Sequence, residues 1–274
     1  MHTNKYIQTS KYVILLLTSL ILFYPIFLMI ISSFKSKLDI LVSPLSLPKS
    51  INFDNYIEVW HRVNFSEYIF NSLFVSIISV ITVIIVSSLA GFYLARYNFK
   101  WNSFILFFFM IGLMLPMKLA IIPLYLLMLK FNLIDSLISL ILVYVAGGIP
   151  LATFLFYGFF RTLPKDLEES ARLDGCNDFQ IYYKIVLPLM KPSISIVGIV
   201  NLVHVWNDFF YPLIFIKSEN IRTIPLGMLT LFSEYDKEWN LLFAGLTLSS
   251  LPMIIAFIFA SRTFIEGLTS GAVK

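Results

Sequence analysis

Asn201, His204, Asp208 and Tyr211 follow one another at spacings of three, four and three residues, which predicts one shared helical face. They lie in an apolar run, Ser193 to Ile216, that is long enough to cross a bilayer. An ionisable side chain at that depth must face protein or water rather than lipid, and Asp208 is the sharpest instance. Two readings stay open. Either the four residues are a polar seam that glues this span to a neighbouring helix, or they line a path for a polar solute. In the second case Asn, His and Tyr, with Trp206, offer hydrogen bonds and stacking to a polyhydroxylated ligand. His204 and Asp208 fall short of a metal site, because no further ligands stand near them in sequence. Gly147-Gly148-Ile149-Pro150 sits at mid-depth of another apolar run. Non-helical backbone there is tolerable only if buried in protein or lining a wet cavity, which favours a translocation pathway over a simple anchor.

The stretch from Leu163 to Pro192 is the longest soluble-looking segment of the chain, and it has the signals of two short helices. The first opens after Pro164, with Asp166 in its early turn, and stops at Gly175. Glu168 and Arg172 stand four apart, acid first, in support of that helix. Leu167, Ser170, Ala171 and Asp174 fall on its other side, where Ala171 and Gly175 leave a nearly flat surface. The second helix starts at Asn177, a capping residue, with Gln180 three positions on as a partial capping box. Phe179, Tyr182, Tyr183 and Val186 form one apolar stripe, and Pro188 ends the run. A segment with one small face and one aromatic face suits docking into a groove on another protein. An amphipathic loop on lipid headgroups is the alternative, but such a helix is usually richer in Lys and Arg.

The remainder must hold these residues in a membrane. With 58% hydrophobic and 13% charged residues and a mean hydropathy of +0.85, the chain is an integral membrane protein. The single Cys176 excludes an internal disulfide and any multi-cysteine metal site. The net charge of +4 reads as positive-inside bias, not nucleic-acid binding.

The expected order is a cytoplasmic head (1–11), a first span (12–34), an extracellular loop (35–68), spans two to four (69–160), a cytoplasmic segment (161–192), spans five and six (193–263) with an external loop at 217–240, and a cytoplasmic tail (264–274). Pro116 and Pro123 should bend or break the third span, with Lys118 snorkelling toward the outer surface. Ser72, Ser76, Ser79 and Thr82 mark the packing side of the second span. Six spans with both termini inside place 163–192 in the cytoplasm, where ATP is. Eleven Lys and Arg then lie inside against nine outside, a margin that widens when only short loops are counted. No G-x-x-x-x-G-K-[ST], G-x-S-x-G, H-E-x-x-H or dinucleotide glycine pattern occurs. Energy must therefore come from a partner chain or from an ion gradient.

Glu169-Ser170-Ala171, Asp174-Gly175, Ile185 and Leu187-Pro188 resemble the EAA loop of bacterial ABC-transporter permeases, with Ser170 where that family usually has Ala. Trp206 to Leu213 resembles the WN-x-F-x-x-PL signature of sugar-type permeases. The ending FIEGLTSGAVK resembles the FV-x-GLT-x-GAVKG tail of the maltose type, without its last Gly. PIFLMIISSFK at 25–35, Asn71-Ser72-Leu73 and Leu94-Ala95-Arg96 extend the resemblance to the smaller, MalG-type permease over almost the whole chain.

The resemblance implies an all-α, six-span, type I ABC importer permease that is itself no enzyme and resides in the cell membrane. It implies a second permease subunit, two ATPase subunits that carry ATP and Mg, and an extracytoplasmic solute-binding protein. On that reading Glu169, Ser170, Ala171, Arg172, Asp174, Gly175, Leu187 and Pro188 couple to the ATPase, and the tail residues Gly271, Ala272, Val273 and Lys274 contact it. Asn201, His204, Asp208, Tyr211, Gly147 and Gly148 line the path, and Tyr235 and Trp239 face the binding protein. The expected solute is a sugar or oligosaccharide, and the lack of basic residues in the fifth span favours a neutral one. A glycerol-phosphate importer is the alternative. A gradient-driven transporter with an Asp208–His204 proton relay is the other class, but it lacks internal repeats here and leaves the docking segment unexplained.

Overall fold

The computed structural model describes residues 2–232 and 238–272, with side-chain environments for 7–232 and 238–261. Among the described residues every regular element is helical. The chain divides into two compact units, residues 1–66 with 227–252, and residues 67–226 with 253–274.

In the first unit, α1 (His2–Ser32) is followed by α2 (Lys37–Val42) and α3 (Asp54–Arg62). Within the membrane-length part of α1, Ile7–Ser32, an 18-residue window has a mean hydropathy of 2.7 and no residue buried within the chain. The polar loop after it is held by Asn55, whose Nδ2 donates to the carbonyls of Ser33 (2.8 Å) and Lys35 (2.9 Å). Lys35 is only 2% exposed. Burying an ammonium is costly unless its donors are satisfied, and here Nζ donates to the Pro44 carbonyl at 2.8 Å and the Ser43 carbonyl at 3.3 Å.

The second unit holds most of α4 (Phe65–Arg96), then α5 (Asn102–Met114), α6 (Ile121–Lys130), α7 (Leu137–Thr162) and α8 (Asp166–Leu173). Next come α9 (Asp178–Gln180), a π turn at Ile181–Val186, α10 (Leu187–Leu189), α11 (Lys191–Asn207) and α12 (Phe210–Phe215). α13 (Ile224–Met228) and α14 (Trp239–Ala272) complete the chain. Small residues let the spans pack closely: Ser72, Ser76 and Ser79 are buried along α4. A Cβ on Gly91 would stand 2.7 Å from the Cβ of Phe156.

Among the described residues four helices are long and apolar enough to cross a membrane, and up to six crossings result if each of two bent pairs counts as one, Asn102–Met114 with Met117–Lys130 and Asp178–Leu189 with Lys191–Asn207. α5 and the helical stretch Met117–Lys130 meet at 82°. Pro116 stands at that bend, where its ring and missing N–H forbid continuous helix. Lys118 follows in the 3-10 turn Met117–Ala120.

The fifth span differs from its expected form. α11 stops at Asn207, Asp208 is extended (ψ 128°), and the helix resumes at Phe210. Pro212 is the cause, since a proline ring clashes with the carbonyl four residues earlier, which is that of Asp208. Asn201, His204, Asp208 and Tyr211 therefore do not share one continuous helical face. α7 departs from expectation in the opposite sense, running unbroken through Gly147-Gly148-Ile149-Pro150. α14 likewise continues as helix through Gly271 and Ala272. Tyr235, Val273 and Lys274 lie outside the described residues.

Candidate functional site

A cavity of about 470 Å³ in the second unit gathers residues from the α5–α6 break, α7, α11 and α12. It is bordered by Gly147, Gly148, Asn201, His204 and Tyr211, five of the six expected path residues. Lys118 and Tyr144 join them, and the expected set did not include either.

The two glycines are there for close approach rather than for a broken helix. A Cβ at Gly148 would stand 2.5 Å from Asn201 Oδ1 and 2.9 Å from Val83 Cγ2, and one at Gly147 would meet Met117 Sδ at 3.0 Å. Asn201 is 7% exposed, and its Nδ2 donates back to the Val197 carbonyl at 2.8 Å. His204 is exposed.

Asp208 stands behind the cavity, with its side chain 7% exposed. Its Oδ2 accepts the Tyr144 hydroxyl at 3.0 Å and the Tyr211 N–H at 3.1 Å, so it ties α7 to the start of α12. Its Oδ1 lies 3.9 Å from Lys118 Nζ. That ammonium also sits 5.0 Å from the centre of the Phe210 ring, and its side chain is 59% exposed. The carboxylate joins the breaks in two spans to the unbroken α7, and its charge faces a cation.

The segment after α7 is built on a core. Ala171, Ile181, Tyr182, Val186 and Met190 are buried in one cluster with Phe92, Phe156 and Phe160, and the Tyr182 hydroxyl meets Ser88 Oγ at 2.7 Å. α8 ends as expected at Gly175, which has φ +86° and is followed by a Cys176 N–H bond to the Ala171 carbonyl at 3.0 Å, a Schellman closure. Asn177 and Gln180 form a complete capping box.

Three expectations about this segment are corrected. Glu168 does not pair with Arg172: it is turned inward to Arg96, at 2.6 Å. Arg172 donates instead to Asp178 and to the Tyr97 hydroxyl, both at 3.0 Å. Burial, and after it the Asp178 carboxylate, pushes the Tyr97 phenol up to about 12. Pro188 does not end the helix, because the preceding π turn shifts the pairing: the Leu187 N–H bonds to the Tyr182 carbonyl five residues back. The same turn divides the aromatic stripe. Tyr182 and Val186 point inward, 6% and 2% exposed, while Phe179 and Tyr183 stay outside at 63% and 60%, stacked with an interplanar angle of 7°.

Ala171 belongs to the inner face, at 4% exposure. Glu169, Ser170, Arg172, Asp174, Gly175 and Pro188 are exposed, and Leu187 is half-buried. Leu173, which the expected set did not include, is 90% exposed beside them. Its signal was an apolar residue on the polar side of α8. Trp239 is half-buried at the start of α14, its ring 5.9 Å from that of Phe232.

The arrangement defines a multi-pass membrane protein with a largely apolar cavity, carrying a few polar groups, between broken spans and a two-faced helical segment rooted in the core of the same unit. Residues 87–269 match the family described as binding-protein-dependent transport system inner membrane component, and the chain belongs to that family, the permease chains of ABC transporters. It is 36% identical to a probable ABC transporter permease of Bacillus subtilis, YurM, over 97% of this chain and 89% of that one. It is 34% identical to AmyC of Thermoanaerobacterium thermosulfurigenes, a probable permease for starch degradation products, over 100% and 98%. The fold matches a chain of a bacterial ABC transporter involved in alginate import, with a TM-score of 0.82 at 21% identity, covering 96% of this chain and 98% of that one.

Proposed function

We propose that this chain is one of two permease subunits of an ATP-driven importer of a neutral sugar or oligosaccharide. It lies in the cytoplasmic membrane with both termini in the cytoplasm. It supplies half of the translocation path and is not itself an enzyme, since ATP and Mg²⁺ are bound and used by two partner ATPase chains. Those chains seat on the outer face of the segment from Glu169 to Pro188, with the tail Gly271 to Lys274 reaching toward them. A second permease completes the path. An extracytoplasmic solute-binding protein delivers the sugar to the loop that holds Tyr235 and Trp239.

The observation that carries this reading is the two-faced coupling segment. Its exposed face offers Leu173, Phe179 and Tyr183 beside Glu169 and Gly175, an apolar patch that needs a protein partner. Its inner face is packed against α4 and α7, so a push on the outer face is delivered to the spans.

For the solute, two facts point the same way. Two of the relatives are named for starch degradation products, as above, and for arabinooligosaccharides. In the cavity the one cation, Lys118, faces Asp208, so no uncompensated positive charge awaits a phosphate. The exposed His204 and the Tyr rings suit hydroxyls and sugar faces.

The test is the ATPase activity of the complex in lipid, with its binding protein, across a panel of oligosaccharides and glycerol phosphates. Stimulation by a neutral sugar is the expected result. Stimulation by a glycerol phosphate alone would overturn the sugar reading, and failure to capture any ATPase subunit would overturn the importer reading.

A further inference from the structure

Below α5 lies a second cavity, of about 460 Å³, that the transport reading does not use. It is lined by Arg96, Asn98, Ser103, Tyr157, Arg161 and Lys165 among others, with no carboxylate among its lining residues. Arg96 is already neutralised by Glu168. Arg161 and Lys165 are not: neither is in an ion pair among the described residues. Arg161 is instead held in place by Tyr157, with Nη1 3.3 Å from the hydroxyl and the guanidinium 5.7 Å from the ring centre. A guanidinium that is oriented yet uncompensated is arranged to bind an anion. α5 begins at the same place with no side-chain cap, so its first N–H groups add positive potential to that of the two cations.

The surroundings show where the anion comes from. Trp101, at the foot of α5, is 59% exposed with Lys100 5.9 Å from its ring centre, the signature of interfacial depth. Ser103, Phe107 and Met110 follow one another up a single stripe of α5. Phe107 and Met110 are 58% and 42% exposed, so an apolar track leads away from the basic cavity. A free anion would need the cavity alone, whereas a phospholipid uses the cavity and the track together. We propose that Arg161 and Lys165 bind the phosphate of an anionic phospholipid whose acyl chain lies along Phe107 and Met110. Basic cavities between membrane helices are suited to such headgroups. This site is separate from the solute cavity and does not depend on what is transported.

The test uses the full-length chain in mixed micelles of phosphatidylglycerol and phosphatidylcholine in equal amounts, with retained lipids counted by native mass spectrometry. The native chain should retain phosphatidylglycerol over phosphatidylcholine by about twenty-five-fold, the product of a factor of about five from each interfacial cation. Arg161→Gln with Lys165→Gln should abolish the preference, and Arg161→Lys with Lys165→Arg should keep it, with helix content by circular dichroism as the folding control. Equal retention of both lipids by the native chain would overturn the proposal whatever the variants do. So would an undiminished preference in the neutral variant. Displacement of phosphatidylglycerol by excess inorganic phosphate would show a site for free phosphate and overturn the lipid assignment.

Discussion

Arg96 Nε lies 2.6 Å from Glu168 Oε1, and the two side chains are 4% and 8% exposed. Their Nε–H is not aimed at the oxygen for a hydrogen bond, and Arg96 donates instead through Nη2 to the Leu163 carbonyl at 3.0 Å. The pair thus fastens the end of α4 both to α8 and to the turn before it. Removing one partner of a buried pair leaves an uncompensated charge, at a cost of about 3–5 kcal/mol, whereas replacing both by apolar residues is often near neutral. Glu168→Leu should therefore lower the thermal midpoint sharply, and Arg96→Met with Glu168→Leu should recover most of the loss. A double variant no more stable than the single would mean that the pair is not the fastening.

Gly175 occupies a left-handed conformation, φ +86°, with open space where a Cβ would stand. Gly175→Arg therefore meets backbone strain of about 1 kcal/mol but no clash, and the chain should still fold. If the ATPase seats on this face as proposed, a large cation there should block it, so uptake should be lost while folding is kept. Normal uptake by this variant would remove Gly175 from the docking surface.

Asp208 serves as an acceptor for two groups and as a charge for one. Asp208→Asn keeps an acceptor for Tyr144 and for the Tyr211 N–H, and loses only the attraction to the largely exposed Lys118, so stability should fall by less than about 1 kcal/mol. Asp208→Leu leaves buried donors unsatisfied at about 1–3 kcal/mol each. Thermal unfolding in one detergent ranks the two, and equal losses would show that charge, not hydrogen bonding, is what the site needs.

Asp135 lies in the turn before α7, where the Ser218 hydroxyl, then the N–H groups of Ser218 and Lys217, hold its carboxyl below the usual range. A carboxyl whose folded pKa is depressed contributes stability above the unfolded value, near 3.8, and loses it as pH falls through the folded value. The native chain should be more stable than Asp135→Asn at pH 7, with the gap closing below about pH 4. Denaturation curves at the two pH values check this. A gap independent of pH would assign the effect to shape alone.

Features written in neighbouring residues were legible in the sequence. Asn177 with Gln180, Gly175 after α8 and the break at Pro116 all follow from local backbone chemistry, and all appear where expected. The break at Asp208 was present in the sequence as Pro212, four residues on, but the regular spacing of polar residues masked it. What escaped was long-range. Nothing near Glu168 in the chain marks Arg96 as its partner, and a π turn has no simple sequence signal. The glycines at 147 and 148 read as a broken backbone, because only the packed structure reveals that Asn201, Val83 and Met117 press against them. Lys118 and Tyr144 were missed for the same reason, since their roles depend on which helices meet.

The bareness of α1 has a further consequence. The apolar 18-residue window within Ile7–Ser32 has no residue buried by its own chain, and a helix satisfies all its backbone groups internally. It therefore needs nothing downstream in order to enter the bilayer. During synthesis it can leave the ribosome and settle in lipid before the carboxylates and cations of the later, broken spans exist. Those spans must wait for one another, because each carries a polar group that only a neighbour can cover. The order of assembly is thus set by cost, with the self-sufficient helix as the mooring line from which the interdependent ones are hauled in.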